Sequence, residues 1–187
     1  MSDDTPVKIL AISGSLRASS LNTAALRAAI ELAPAGMSIE LEEIGDLPLY
    51  NDDVRAQGFP PAVQRLRERI KAADGLLIST PEYNYSVPGV LKNAIDWASR
   101  PPEQPFDGKP IAIMGASPGA IGTARAQYHL RQCFVFLNGL VLNRPEVMIG
   151  GAAGRFDATG KLTDQATRDF VAAMLVAFKA WTVRIRG

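Results

Sequence analysis

The chain of 187 residues contains only one cysteine, Cys133, and one histidine, His129. A single cysteine cannot form an intrachain disulfide, which favours a reducing compartment and hence a cytoplasmic protein. A single histidine excludes sites that need two, such as the zinc site of HExxH metalloproteases. We expect His129 at a surface or an interface and Cys133 as a buried, small apolar side chain. No metal site is predicted.

The sequence also lacks an excess of charge of either sign and any long apolar run. It has 20 Lys and Arg residues against 19 Asp and Glu residues, so a net charge of +1 gives no reason to expect a nucleic-acid partner. Residues 1–6 are polar and acidic, unlike a signal peptide, and are expected to form a disordered tail. The longest apolar stretch, residues 133–142, is too short to cross a bilayer. We therefore expect no membrane partner.

Short apolar runs alternate with segments of helical periodicity along the chain. Four runs predict strands, the second of them nearer the sheet edge: residues 7–12, 38–44, 75–80 and 109–116. Two weaker candidates follow at residues 140–142 and 147–149. The alternation predicts a parallel sheet with helices on both faces. Five strands suggest one domain over residues 1–187, a flavodoxin-like, doubly wound α/β fold with three α/β/α layers and strand order 2-1-3-4-5.

The loop after the first strand is rich in polar donors and leads into a helix. In this strand order the first and third loops form one crevice. The N–H groups and the positive dipole end at a helix N-terminus suit a phosphate. Neither a Walker loop nor a GxGxxG fingerprint is present, so a monophosphate fits better than a triphosphate or a pyrophosphate. The predicted ligands are Ser15, Arg17, Ser20, Leu21, Asn22 and Thr23. The alternative is an ordinary capped turn with a solvated arginine.

The loop after the third strand is stiff and aromatic. Residues 81–89 contain two prolines, a glycine and two tyrosines, but no histidine, cysteine or pair of carboxylates. At the carboxyl end of a buried strand, such a loop suits a flat cofactor better than acid–base chemistry. An ordinary proline-stiffened connection is an equal alternative for this loop taken alone.

The loop after the fourth strand, residues 115–119, matches the GxSxG nucleophile elbow of α/β-hydrolases. The match fails chemically, because the oxyanion hole needs the N–H of the residue after the serine and Pro118 has none. The chain order of the catalytic triad, Ser, acid, His, is also absent, because no Asp or Glu lies between Ser117 and His129. A hydrolase is therefore disfavoured.

Three segments carry a family resemblance. They read Gly14-Ser15-Leu16-Arg17-x-x-Ser20-x-Asn22, Pro81-Glu82-Tyr83-Asn84-x-Ser86-x-Pro88-Gly89-x-Leu91-Lys92-Asn93-Ala94-Ile95-Asp96, and Ser117-Pro118-Gly119. Together they resemble the NADPH-dependent FMN reductases, in particular the branch described as chromate or quinone reductases, over nearly the whole chain. The resemblance implies that Ser15, Arg17, Ser20 and Asn22 hold the FMN phosphate and that Ser117 closes the pyrimidine side of the flavin. The residues implied to line the isoalloxazine are Pro81, Glu82, Tyr83, Asn84 and Tyr85.

The implied activity is reduction of quinones and similar acceptors, such as chromate, azo compounds or free flavin. NADPH or NADH is the implied donor, and hydride passes through bound FMN in a ping-pong reaction, so no side chain is predicted to be catalytic. A flavodoxin-type electron carrier without its own NAD(P)H turnover is the alternative. Carriers of that type are usually strongly acidic, and a net charge of +1 argues against one.

The resemblance also implies a homodimer or homotetramer in which a neighbouring subunit helps to wall the flavin. Four side chains near the predicted crevice are candidates for contacts between subunits: Tyr85, Arg125, Tyr128 and Glu146.

Overall fold

Parallel strands alternate with helices throughout residues 5–187, the part of the chain that the computed structural model describes. Of the tail predicted over residues 1–6, residues 1–4 lie outside this part. The strands are β1 (Val7–Ser13), β2 (Met37–Glu42), β3 (Gly75–Ser79), β4 (Pro110–Ala116), β5 (Leu140–Val141) and β6 (Val147–Ile149). The helices are α1 (Leu21–Glu31), α2 (Asp52–Ala56), α3 (Pro61–Ala72), α4 (Gly89–Ala98), α5 (Ala124–Val135) and α6 (Gln165–Arg186), with one 3-10 turn at Ala152–Gly154.

The sheet has the strand order 2-1-3-4-5 with every pair parallel, which confirms the predicted flavodoxin-like order. The fifth position is split between two short strands. β5 pairs with the start of β4 and β6 with its end. Pro145, between them, has no N–H to donate to a ladder. The two weak strand candidates therefore share one edge of the sheet.

Alternate residues of the central strands point to opposite faces, and helices cover both. Val7, Ile9 and Ala11 of β1 lie in the core with α1 and α6. Leu10 and Ile12 lie in the second core with α3, α4 and α5. Burial on both faces explains why these strands read as continuous apolar runs. The three predicted layers are present, and the carboxyl ends of the strands meet at one edge.

Two glycines allow the loops at this edge to approach closely. A Cβ at Gly115 would overlap both Thr123 Oγ1 and the carbonyl oxygen of Thr80. A Cβ at Gly14 would lie 3.1 Å from Pro81 Cδ. The loops after β1, β3 and β4 therefore pack against one another and form the single crevice expected from the strand order.

The connection between β2 and α3 contains the short helix α2, whose N-cap Asn51 accepts the Asp53 N–H at 2.8 Å. Throughout residues 5–187, every helix is too short or too polar to span a bilayer.

Candidate functional site

The first loop enters α1 through Ser20. Its Oγ accepts hydrogen bonds from the N–H groups of Asn22 and Thr23 at 3.2 and 3.3 Å, as in a helix N-cap. Thr23 Oγ1 lies 2.8 Å from Ser13 Oγ at the end of β1. Two of the amides predicted to bind a phosphate thus already have a partner within the loop, and their contact with a ligand stays a prediction.

A second set of donors in this loop is free. Four backbone N–H groups make no hydrogen bond within residues 5–187: those of Leu16, Ala18, Ser19 and Leu21. The Arg17 guanidinium donates to Ser19 Oγ at 2.9 Å and pairs with no carboxylate of the described residues. Ser15 Oγ accepts the Arg17 N–H at 3.4 Å and keeps its own proton to donate. Since the first turn of α1 has no acidic residue, this donor set fits one phosphate group.

The Asn22 side chain points away from these free donors, into the protein. Its Oδ1 accepts hydrogen bonds from Ser79 Oγ at 3.0 Å and from the Ala116 N–H at 2.9 Å. Its Nδ2 donates to the Ala116 carbonyl at 3.0 Å. Asn22 is 3% exposed, so these three hydrogen bonds connect the N-terminus of α1 to the ends of β3 and β4 inside the protein. Only one hydrogen of the Asn22 side-chain Nδ2 group remains for the predicted phosphate contact.

The third loop forms a tight hairpin. Tyr83 and Ser86 exchange both backbone hydrogen bonds, at 3.2 and 3.0 Å. Between them Asn84 and Tyr85 have φ of 48° and 71°, as a two-residue type I′ turn requires. The N–H groups of Glu82 and Asn84 make no hydrogen bond within the described residues. They can therefore donate to the polar edge of a flat ligand, beside the buried Pro81 and the exposed Tyr83 and Tyr85.

The hairpin is attached to the start of α5 through Glu82, whose side chain is 7% exposed. One carboxylate oxygen accepts the N–H groups of Arg125 and Ala126 at 3.1 and 3.2 Å, and the other pairs with the Arg125 guanidinium. That guanidinium also lies 3.6 Å from the centroid of the Tyr85 ring. The interactions with Tyr85 and Glu82 raise the pKa of Arg125, so this guanidinium stays charged.

Four further predicted residues have partners in the same chain, and Cys133, expected to be buried, is half-buried instead. Tyr128 Oη donates to Glu146 at 3.2 Å, so these two interface candidates already bond to each other. Ser117 Oγ accepts the Gly119 N–H at 3.1 Å in the fourth loop. His129, exposed as expected, has Nδ1 3.0 Å from Ser86 Oγ, a second tie between the hairpin and α5.

The sequence did not predict that Ser79 and the Glu82 carboxylate would hold the loops together. Ser79 offered a signal, because a buried strand that ends in a polar residue needs a hydrogen-bond partner. Glu82 offered none, since its partners lie on α5 and nothing in the local pattern of the third loop points there. The crevice thus combines a loop whose free donors suit a phosphate with a rigid slot that suits a flat polar ring.

Comparison with known proteins agrees with this chemistry. The family model described as NADPH-dependent FMN reductase matches residues 7–154. The chain is 64% identical over 187 residues to an NAD(P)H-dependent FMN reductase of Pseudomonas aeruginosa, with 100% of both chains covered. It is 48% identical over 183 residues to a quinone reductase of Escherichia coli K12, covering 96% of this chain and 97% of that one.

A solved structure supports the same conclusion. FerB, a flavoenzyme NAD(P)H:(acceptor) oxidoreductase from Paracoccus denitrificans, superimposes with a TM-score of 0.87 at 41% identity. The match covers 95% of this chain and 98% of that one. Fold, site chemistry and sequence identity agree, and the chain belongs to the family of NADPH-dependent FMN reductases.

Proposed function

We propose that this protein is an NAD(P)H-dependent FMN enzyme that reduces quinones. The proposal rests on one observation: two sets of hydrogen-bond donors that have no partner within residues 5–187 lie at the same edge of the sheet. One consists of the first-loop amides with Arg17, and the other of the Glu82 and Asn84 amides of the hairpin. A ligand with a phosphate at one end and a flat, hydrogen-bonding ring at the other satisfies both. Relatives named as quinone reductases support this class of acceptor.

The residues predicted to hold FMN remain our proposed ligands. For the phosphate these are Ser15, Arg17, Ser20, Leu21, Asn22 and Thr23. For the ring these are Pro81, Glu82, Tyr83, Asn84, Tyr85 and Ser117. FMN, when bound, supplies the hydride chemistry between the nicotinamide and the acceptor. The protein binds and orients the reactants, and we assign no catalytic side chain. Donor and acceptor are proposed to use the same open face in turn, which gives ping-pong kinetics.

Several finer assignments belong to the proposal. Chromate, azo compounds and free flavin are further proposed acceptors, because an open ring face selects weakly among oxidants. A single FMN-binding domain and a cytoplasmic location are proposed as well, the latter supported by the single, unpaired Cys133.

We also propose a homodimer or homotetramer. Exposed apolar side chains support it: Tyr85 and Tyr128, near the crevice, are 64% and 49% exposed, and Phe136, at the far end of α5, is 95% exposed. Large exposed apolar groups of this kind mark contact surfaces. With Arg125 and Glu146, the two tyrosines remain the proposed polar contacts between subunits.

The test is the visible absorption spectrum of the purified protein, followed by addition of NADPH under nitrogen. We expect a flavin spectrum that bleaches on addition of the donor and returns when a quinone is added. A flavin spectrum unaffected by NADPH and NADH would instead support the electron carrier. A colourless protein that cannot be reconstituted with FMN would refute the proposed site.

A further inference from the structure

An open cleft of about 420 Å³ adjoins the phosphate-binding loop on the side of β2. It shares Ser15, Arg17 and Thr23 with the proposed phosphate ligands but none of the proposed ring-lining residues. Its far wall is formed by residues 41–45, at and after the end of β2. The volume falls within the range of small-molecule sites, about 300–1,000 Å³. The cleft therefore lies across the phosphate loop from the ring slot and is large enough for a ligand.

The cleft presents two cations without carboxylate partners. Arg17 donates only to Ser19 from its guanidinium, and Arg27 makes no hydrogen bond or ion pair with any described residue. The buried carboxylate of the wall, Glu42, is paired with Arg65 and Arg69 at 3.1 and 2.5 Å, and these two residues also pair with Asp46 and Glu40. Two unpaired guanidinium groups at one cleft suit a phosphate, which each can bind with charge-assisted hydrogen bonds.

The remaining lining suits a nucleoside. Leu16, Leu41 and Ile44 contribute apolar surface, and the Leu16 side chain is 55% exposed. Glu43 lies one residue beyond the end of β2. In dinucleotide-binding α/β folds, an acidic residue after the first strand–helix turn accepts hydrogen bonds from ribose hydroxyls. Phosphate, ribose and base thus each find a suitable group.

We infer that this chain binds a flavin dinucleotide, FAD, as well as FMN, with the adenylate half of FAD in this cleft. The ribityl chain of the flavin leaves the phosphate toward the ring slot, so an adenylate joined to that phosphate by a phosphoanhydride bond extends to the other side of the loop, where the cleft opens. Arg27 is the residue that discriminates, because it lines the cleft and is not among the proposed FMN ligands. The inference rests on the proposed FMN phosphate site. The sequence favoured a ligand with a single phosphate, because it contains no known dinucleotide motif. FAD has a pyrophosphate, so the inference goes beyond that expectation.

The test titrates apoprotein separately with FMN and FAD, following flavin fluorescence, for the native chain, Arg27→Gln and Arg184→Gln. We expect FAD to bind within about tenfold of FMN in the native protein. Arg27→Gln should weaken FAD about tenfold, the loss expected for one hydrogen bond to a charged group, and FMN less than twofold. Arg184→Gln is the matched control, since it removes the same charge from an exposed position near the opposite end of the sheet.

The outcomes separate the inference from the proposed function. FMN binding without FAD binding, or FAD binding that ignores Arg27→Gln, overturns the cleft assignment and leaves the FMN enzyme intact. Failure of both flavins to bind a folded apoprotein overturns the two together. A raised KM for NADPH in Arg27→Gln with unchanged FAD affinity would assign the cleft to the nicotinamide nucleotide and overturn the inference.

Discussion

Arg17 is the only cation among the predicted phosphate ligands, and its guanidinium has no carboxylate partner in the described chain. Its charge is therefore available to a phosphate, whereas the isoalloxazine ring gains nothing from it. We predict that Arg17→Gln weakens FMN binding about tenfold or more and leaves riboflavin, which lacks the phosphate, unchanged. Fluorescence titration of apoprotein with both flavins measures this. An equal loss for both flavins would show that Arg17 acts on the shape of the loop.

Asn22 was predicted to be a phosphate ligand, and the structure shows a second role for its side chain. Its place at the start of a helix suggested a phosphate ligand, yet its carboxamide bonds Ser79 and both backbone groups of Ala116. These partners lie at the ends of β3 and β4, the strands that carry the third and fourth loops. Beside its proposed phosphate contact, Asn22 therefore holds the first loop at a fixed spacing from those two loops.

Loss of the hydrogen bonds from Asn22 to Ser79 and Ala116 should affect both the proposed phosphate contacts and the proposed ring contacts. Asn22→Ala leaves the buried N–H and carbonyl of Ala116 without partners, so we predict a loss of about 2–4 kcal/mol in unfolding free energy. Riboflavin and FMN should both bind more weakly, because the ring loops lose their register. Urea unfolding and flavin titration measure the two effects. Ser79→Ala removes only the hydrogen bond from Ser79 to Asn22 and should give a smaller change in the same direction. Weakened FMN binding with unchanged riboflavin binding would contradict the positioning role and leave Asn22 only the proposed phosphate contact.

At the scale of elements, the β3–α4 hairpin is rigid because α5 holds it. Asn84 and Tyr85 occupy the left-handed backbone region, which costs free energy for residues other than glycine. The bonds of Glu82 to the first turn of α5 and the contact of Arg125 with the Tyr85 ring offset that cost. The negative carboxylate also interacts favourably with the positive end of the α5 dipole.

Glu82→Gln tests this attachment with little change of shape. The amide can still accept a hydrogen bond, but the ion pair with Arg125 and the interaction with the helix dipole are lost. We predict a loss of about 1–3 kcal/mol in unfolding free energy, together with weaker binding of FMN and riboflavin. Glu103→Gln is the control, since that carboxylate pairs with Lys71 on the surface and should matter by less than about 1 kcal/mol. Equal stability of the two variants would contradict the role given to Glu82.

At the scale of the whole molecule, assembly is better tested away from Arg125. That residue bonds Glu82 and contacts Tyr85 in its own chain, so Arg125→Ala would disturb the flavin loop as well as any interface. Phe136 is 95% exposed at the end of α5 and has no such role. We predict that Phe136→Asp lowers the molar mass measured by light scattering. Leu49→Asp, at a position 85% exposed beyond β2, should leave the mass unchanged. An unchanged mass for Phe136→Asp would remove this surface from the proposed interface.

Much of the fold could be predicted from the sequence because its signals are local. Buried parallel strands produce continuous apolar runs, and their alternation with helices restricts the connections to a few topologies. The cap at Ser20 and the stop at Pro101-Pro102 after α4 are also local. The split edge of β5 and β6 was not predicted, because both runs are short and their different registers on β4 depend on tertiary contacts.

The doubly wound order, the family and the two loops with the chemistry for a phosphate and a flat ring follow from the amino-acid sequence alone. Each of these depends on residues that are neighbours in the chain. The contacts of Asn22 and Glu82, and the cleft beside the first loop, are visible only in the folded protein. The reason is separation: Asn22 bonds a residue 94 positions away and Glu82 one 43 positions away. Contacts at such distances form when the layers pack, and no local pattern encodes them.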